Sequence, residues 1–115
     1  MIRNVVLGRV SDEVDLAALE AGLQALRELA VPGVEIELHA GVDLGLRAGN
    51  ADFAVTVDLA DEEAYRAYDE NAEHRRIRLG LLGPLCSSIE RVQFRLPTAG
   101  PASSGRTMGG PARTR

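Results

Sequence analysis

Residues 51–74 read ADFAVTVDLADEEAYRAYDENAEH, and their pattern changes once, at Asp61. Before that point Phe53, Val55, Val57 and Leu59 alternate with Asp52, Ala54, Thr56 and Asp58, the period of a strand with one strongly apolar face. After it Asp61 stands at an N-cap, and Glu62 and Glu63 fall in a first turn where acids complement the helix dipole. Ala64, Tyr65 and Tyr68 follow at helical spacing, so both tyrosines lie near one face. Asn71, a residue that often ends helices, closes the segment, and His74 lies just beyond it.

Working upstream, Gly41 to Asn50 holds three glycines and predicts a loop or irregular crossing. Before it Val34, Ile36, Leu38 and Ala40 alternate with Glu35, Glu37 and His39, a second strand with one polar face. Pro32 and Gly33 end a helix that Ser11 or Asp12 can cap, and its Leu16, Leu19, Leu23, Leu26 and Ala30 form one apolar stripe. Ile2 to Val10 is a strand whose Ile2, Val6 and Val10 share a face with Asn4 and Gly8, while Val5 and Leu7 share the other with Arg3 and Arg9. Apolar residues on both faces predict that both are covered, and two helices can cover only one.

Downstream, Arg75 to Cys86 predicts a short further helix with Ile77, Leu81, Leu82 and Leu85 as apolar positions and Gly83-Pro84 disturbing its end. Ile89 to Leu96 is a fourth strand, with Val92, Phe94 and Leu96 opposed to Arg91, Gln93 and Arg95. The order β-α-β-β-α-β predicts an α+β fold of ferredoxin-like topology, an antiparallel sheet with helices on one face. Two such sheets meeting face to face would cover the remaining side of the first strand, which makes a second copy of the chain the expected partner.

At 115 residues the chain is long enough for one core. The expected division is a domain over residues 1–96 and a disordered tail over 97–115, where Pro, Gly, Ser, Thr, Ala and Arg replace the periodic pattern. Aromatic content is 3%, so aliphatic side chains must supply the core. Residues 1–96 hold 10 arginines against 17 acids, a net of −7, which argues against nucleic acid as the main partner. The lone Cys86 cannot form an intramolecular disulfide. With no apolar run of membrane-spanning length and no secretory signal, a cytoplasmic protein without membrane contact is expected.

The space between helices and sheet is the natural small-molecule cavity of such a unit. Asn4, Val6 and Gly8 point there if the even-numbered face of the first strand is the helix-facing one, with Phe53 from the third strand and Tyr68 and His74 from the second helix and the turn beyond it. Gly8 either enlarges the cavity or marks a bulge. His74 can serve as a general base near neutral pH, or can merely bond a backbone carbonyl at a helix end. Tyr68 can hydrogen-bond a developing enolate oxygen, or can be ordinary core packing. Glu35, Glu37 and His39 alternate on one strand, but a zinc site usually has more nitrogen or sulfur ligands; no metal is expected, and pairing of these residues with Arg91 and Arg95 across the barrel is. No phosphate loop, nucleotide fingerprint or nucleophile elbow occurs.

MIRNVVLGR at residues 1–9 and DLGLRAGNADFAVTVDLADEEAYRAYDENAEHRRI at 43–77 resemble the stress-responsive A/B barrel (Dabb) family of small dimeric proteins, over roughly residues 1–96. The resemblance implies a homodimeric α+β barrel. The family includes plant stress proteins and a polyketide cyclase whose second helix carries a tyrosine followed six residues later by a catalytic histidine, positions that match Tyr68 and His74 here. The implied activity is cofactor-free acid–base cyclisation or isomerisation of a small hydrophobic, carbonyl-bearing ligand, with His74 as base and Tyr68 as its orienting or oxyanion partner. Asn4 and Phe53 stand where relatives carry histidines, and Asn71-Ala72-Glu73-His74 stands in place of an HPxH signature. Gln24 stands about where the cyclase has a tyrosine and, with Leu23 beside it, completes the expected binding residues. The alternatives are a non-catalytic stress or interaction protein and, by fold analogy, a cofactor-free monooxygenase.

Overall fold

The structure, a computed structural model, describes residues 1–97. Apart from Pro97, the expected tail therefore lies outside the described residues. Strands β1 (Ile2–Val10), β2 (Glu37–Val42), β3 (Phe53–Leu59) and β4 (Cys86–Arg95) form one antiparallel sheet in the order β2-β3-β1-β4. Helices α1 (Leu16–Arg27), α2 (Glu62–Glu70) and α3 (Ala72–Arg76) complete the ferredoxin-like α+β arrangement. Between α3 and β4 the chain winds through a π-helical segment, Ile77–Leu82, and a 3-10 turn, Gly83–Leu85.

β3 alternates as its sequence predicts, with Phe53, Val55, Val57 and Leu59 buried. Their side chains pack with Leu19, Leu23 and Leu26 of α1, Tyr68 of α2, and Ile77 and Leu82 of the π-helical segment. Each fully buried aliphatic side chain contributes roughly 1.5–3 kcal/mol, so this aliphatic layer can hold the sheet without tryptophan. The register sets Ile2, Asn4, Val6 and Gly8 opposite Leu59, Val57, Val55 and Phe53, which confirms the even-numbered face of β1 as the helix-covered one.

Several element ends differ from the sequence expectation: the further helical stretch begins at Ala72, ahead of Arg75, and β4 begins at Cys86, ahead of Ile89. Asp15 caps α1, accepting from the Ala17 N–H at 2.9 Å, in place of Ser11 or Asp12. Ser11 belongs instead to a turn in which its carbonyl accepts the Val14 N–H at 3.1 Å, and the helix begins only after that turn. At its other end α1 stops at Arg27, short of Ala30, because Val31 and Val34 bridge around Gly33, whose φ of 75° suits glycine, and this bridge needs extended chain. β2 accordingly begins at Glu37, beyond Val34 and Ile36.

β4 departs further. Gln93 pairs with Asn4, Arg91 with Val6 and Arg95 with Ile2, so the arginine face of β4 is turned toward the helices. Val92 and Phe94 share the open face with Val5 and Leu7. This overturns the expected pairing of Arg91 and Arg95 with Glu35, Glu37 and His39, since β2 and β4 are opposite edges of the sheet and Glu37 and His39 stand on its open side. Arg95 instead pairs with Glu62 at 2.7 Å, and His39 lies 3.5 Å from Glu37. The open face keeps Leu7, Val92 and Phe94 44%, 58% and 46% exposed. Arg3 and Asp58 form a two-pronged ion pair across β1 and β3 on this face, both contacts 2.8 Å.

Candidate functional site

The spacing of Tyr68 and His74 would not bring them together on an unbroken helix. Six residues are about one and two-thirds turns, which leaves the two side chains on different sides and about 9 Å apart along the axis. Asn71 breaks the run. Its backbone leaves helical geometry (φ −61°, ψ 133°), its N–H closes α2 on the Tyr68 carbonyl at 3.3 Å, and its side-chain oxygen caps α3 by accepting the His74 N–H at 2.9 Å. The redirected chain brings the Tyr68 and His74 rings to a centroid distance of 4.2 Å at 38°.

Both residues are nearly inaccessible, at 3% and 6%. His74 Nδ1 lies 3.3 Å from the Asp69 carbonyl. A carbonyl only accepts, so this bond places the proton on Nδ1 and leaves Nε2 as the nitrogen with a lone pair. Burial pushes the His74 pKa below its ordinary value, and the Arg78 and Arg91 charges push the same way, opposed by the Asp69 carbonyl and carboxylate. At neutral pH the imidazole is uncharged and can accept a proton. Burial also raises the Tyr68 phenol to about 12, so it remains a hydrogen-bond donor.

These rings line a cavity of about 50 Å³, together with Asn4, Val6, Phe53, Arg78 and Arg91. That is room for a few waters or a small organic group. Asn4 is buried, and its side-chain oxygen accepts from Gln93 Nε2 at 2.9 Å, which fixes the amide and leaves its NH₂ as a donor at the cavity wall. Asn4, Val6, Phe53, Tyr68 and His74 thus come together as the sequence predicts.

Gly8, Leu23 and Gln24 do not line this cavity. At Gly8 neither expectation holds. The Phe53 ring fills the space that the missing side chain opens, and the shift in strand register lies beyond Gly8, between Arg9 and Val10. Leu23 is wholly inside the core beneath α1. Gln24 is on the exposed side of that helix, bonded to Glu28 at 3.0 Å and Arg27 at 2.9 Å; Leu26 is the α1 residue that reaches the cavity.

Sequence reasoning missed Arg78 and Arg91. Arg78 stands four residues after His74, a spacing that shares a helix face and could have found it. Arg91 becomes visible only through its pairing opposite Val6. Among the described residues no group of three or more His, Cys, Asp or Glu comes together as a metal site, and no helix is long and apolar enough to cross a membrane.

The family model described as Stress responsive A/B Barrel Domain (Dabb) matches residues 2–95. A dimeric ferredoxin-like protein of unknown function from Thermobifida fusca YX is 38% identical, with a TM-score of 0.75 over 83% of this chain and 90% of that one. A dimeric protein of ferredoxin-like fold from Bacteroides fragilis NCTC 9343 is 15% identical, with a TM-score of 0.72 over 83% and 95%. A hydroxynitrile lyase from Passiflora edulis is 17% identical, with a TM-score of 0.68 over 87% and 96%, and shares the fold. No curated protein matches the chain.

Proposed function

The chain belongs to the stress-responsive A/B barrel domain family, and from that membership we propose that it is a homodimeric α+β barrel protein that binds a small carbonyl-bearing molecule and catalyses cofactor-free acid–base chemistry on it. The observation that carries the proposal is the buried His74, its Nδ1 engaged by the Asp69 carbonyl at 3.3 Å and its ring 4.2 Å from that of Tyr68, at the wall of a cavity. His74 Nε2 takes a proton from the carbon beside the carbonyl. The C–H electron pair moves into the carbonyl, giving an enolate whose oxygen accepts the Tyr68 O–H hydrogen bond. Reprotonation at another position gives isomerisation, and attack of the enolate carbon on a second carbonyl gives cyclisation.

The dimer is supported by the dimeric state of the 38% identical relative and by the exposed Leu7, Val92 and Phe94 on the open sheet face. A cavity of about 50 Å³ favours small substrates over extended polyketides.

The test is deuterium uptake at the α-carbon of small ketones and oxo acids in D₂O, followed by NMR. The protein should accelerate exchange, and His74→Ala should abolish the acceleration. Exchange unaffected by His74→Ala would refute the proposed chemistry. No exchange on any carbonyl compound from an intact dimer would favour a binding or interaction role, for which the open sheet face is the specific support.

A further inference from the structure

Arg78 and Arg91 both line the cavity, and neither forms an ion pair among the described residues. Arg3, Arg27, Arg66, Arg76 and Arg95 are each matched to a carboxylate, while Arg9, Arg47 and Arg75, which likewise form no ion pair among the described residues, do not line the cavity. Arg78 goes further, because its Nε is buried without any hydrogen-bond partner. A charged donor withheld from both water and protein is costly, and native structures keep such groups where something else supplies the acceptor. Arg78 is also held in the π-helical segment Ile77–Leu82, an uncommon winding that occurs frequently at functional sites.

The charge around the cavity points the same way. Its lining holds two guanidinium groups and one carboxylate, Asp69, with His74 neutral, a balance of one positive charge. A monoanion cancels that charge, whereas a phosphate dianion would leave the site negative. A carboxylate also presents two oxygens in a plane, which suits the guanidinium fork, and it fits a volume of about 50 Å³.

We propose that the ligand of this cavity carries a carboxylate, held by Arg78 Nε and the Arg91 guanidinium, with its carbonyl end at Tyr68 and His74. The substrate class is therefore a short oxo acid, not a neutral ketone. This rests on the acid–base role of His74 for the chemistry, but the anion site stands or falls on binding alone. Asn4, whose NH₂ lies on the same wall, is a further donor for the carbonyl or for one carboxylate oxygen.

The experiment is an NMR titration of the full-length dimer with 2-oxobutyrate, its methyl ester, and inorganic phosphate, reading the His74 ring and Tyr68 ring resonances. The oxo acid should move both and bind roughly tenfold or more tighter than the ester, the change expected for loss of a charge-assisted contact. Arg78→Gln should remove that preference, and Arg91→Gln, a substitution on the exposed edge strand, should reduce it even if Arg78→Gln fails to fold. Equal affinity for acid and ester, a preference untouched in Arg91→Gln, or tighter binding of phosphate than of the oxo acid would each overturn the proposal. Deuterium exchange separates the two ideas. Carboxylate binding without exchange retains the anion site and removes the base, while exchange accompanied by equal affinity for acid and ester retains the base and removes the anion site.

Discussion

Gly8 and Phe53 are register partners on β1 and β3, and the Phe53 ring lies so close over Gly8 that a Cβ there would fall 2.2 Å from two ring carbons. Gly8→Ala must displace a buried ring, and the adjacent cavity is where the ring can go. The substitution should cost about 1–3 kcal/mol in chemical denaturation, the usual range for overpacking, and should weaken ligand binding by filling the cavity. Adding Phe53→Leu should cost less than the sum of the two single changes, because one crowding contact is shared. Additive losses would show that the two positions do not compete for the same space.

The pH dependence follows from the direction of the His74 shift. The fold disfavours the imidazolium, so the unfolded chain holds the proton more strongly than the folded one. Stability owed to neutral His74 is complete above the ordinary value of 6.5 and is lost as pH falls from there toward the lower folded value. Activity should be flat through neutrality and decline along an acid limb below 6.5. In a His39→Gln background the single remaining imidazole can be followed by NMR, and Arg78→Gln should move its midpoint upward by removing one repelling charge. A midpoint at or above 6.5 in the parent would contradict the buried, desolvated placement.

Tyr68→Phe keeps the ring against His74 and deletes only the hydroxyl. Folding stability should change by less than about 1.5 kcal/mol, the scale of one net hydrogen bond. The rate of carbonyl α-proton exchange should fall by roughly a hundredfold, the lower end for loss of one oxyanion donor. A variant that loses stability but keeps its exchange rate would assign Tyr68 to packing alone.

The open sheet face should be the subunit interface. Val92→Arg and Phe94→Glu each set a charge among the exposed apolar side chains of β4 and β1, and each should convert a dimer to a monomer in analytical ultracentrifugation. The Arg3–Asp58 pair lies on the same face. Dimers that survive both substitutions would move the interface elsewhere.

How much of this was legible in the sequence can be judged residue by residue. β3 and the start of α2 were, because strict alternation followed by an N-cap and two acids admits one interpretation, and Asp61 does accept the Ala64 N–H at 2.9 Å. The Tyr68 and His74 pair was visible as spacing, but its contact depends on the break at Asn71. β4 was recognisable as a strand and misleading in its sidedness. Alternation distinguishes two faces without saying which is covered, and here the polar face meets the cavity while the apolar one is left for a partner. Gln24 failed as a site residue because it was placed by an approximate correspondence to the cyclase's tyrosine, and one position along α1 changes the side of the helix a residue faces by about 100°. Gly8 failed because a missing side chain on one strand was supplied by a large one on the next.

Asn71 has one more consequence. A single residue ends α2 and begins α3, so the distance between the two reactive rings is set by one backbone kink and the residues on either side of it. Most surface connections in small proteins absorb an added or lost residue with little effect. Here one inserted residue would swing the imidazole about 100° around its helix and out of the cavity. The interval from Tyr68 to His74 behaves as a ruler, its length fixed by the break that Asn71 makes between the two helices.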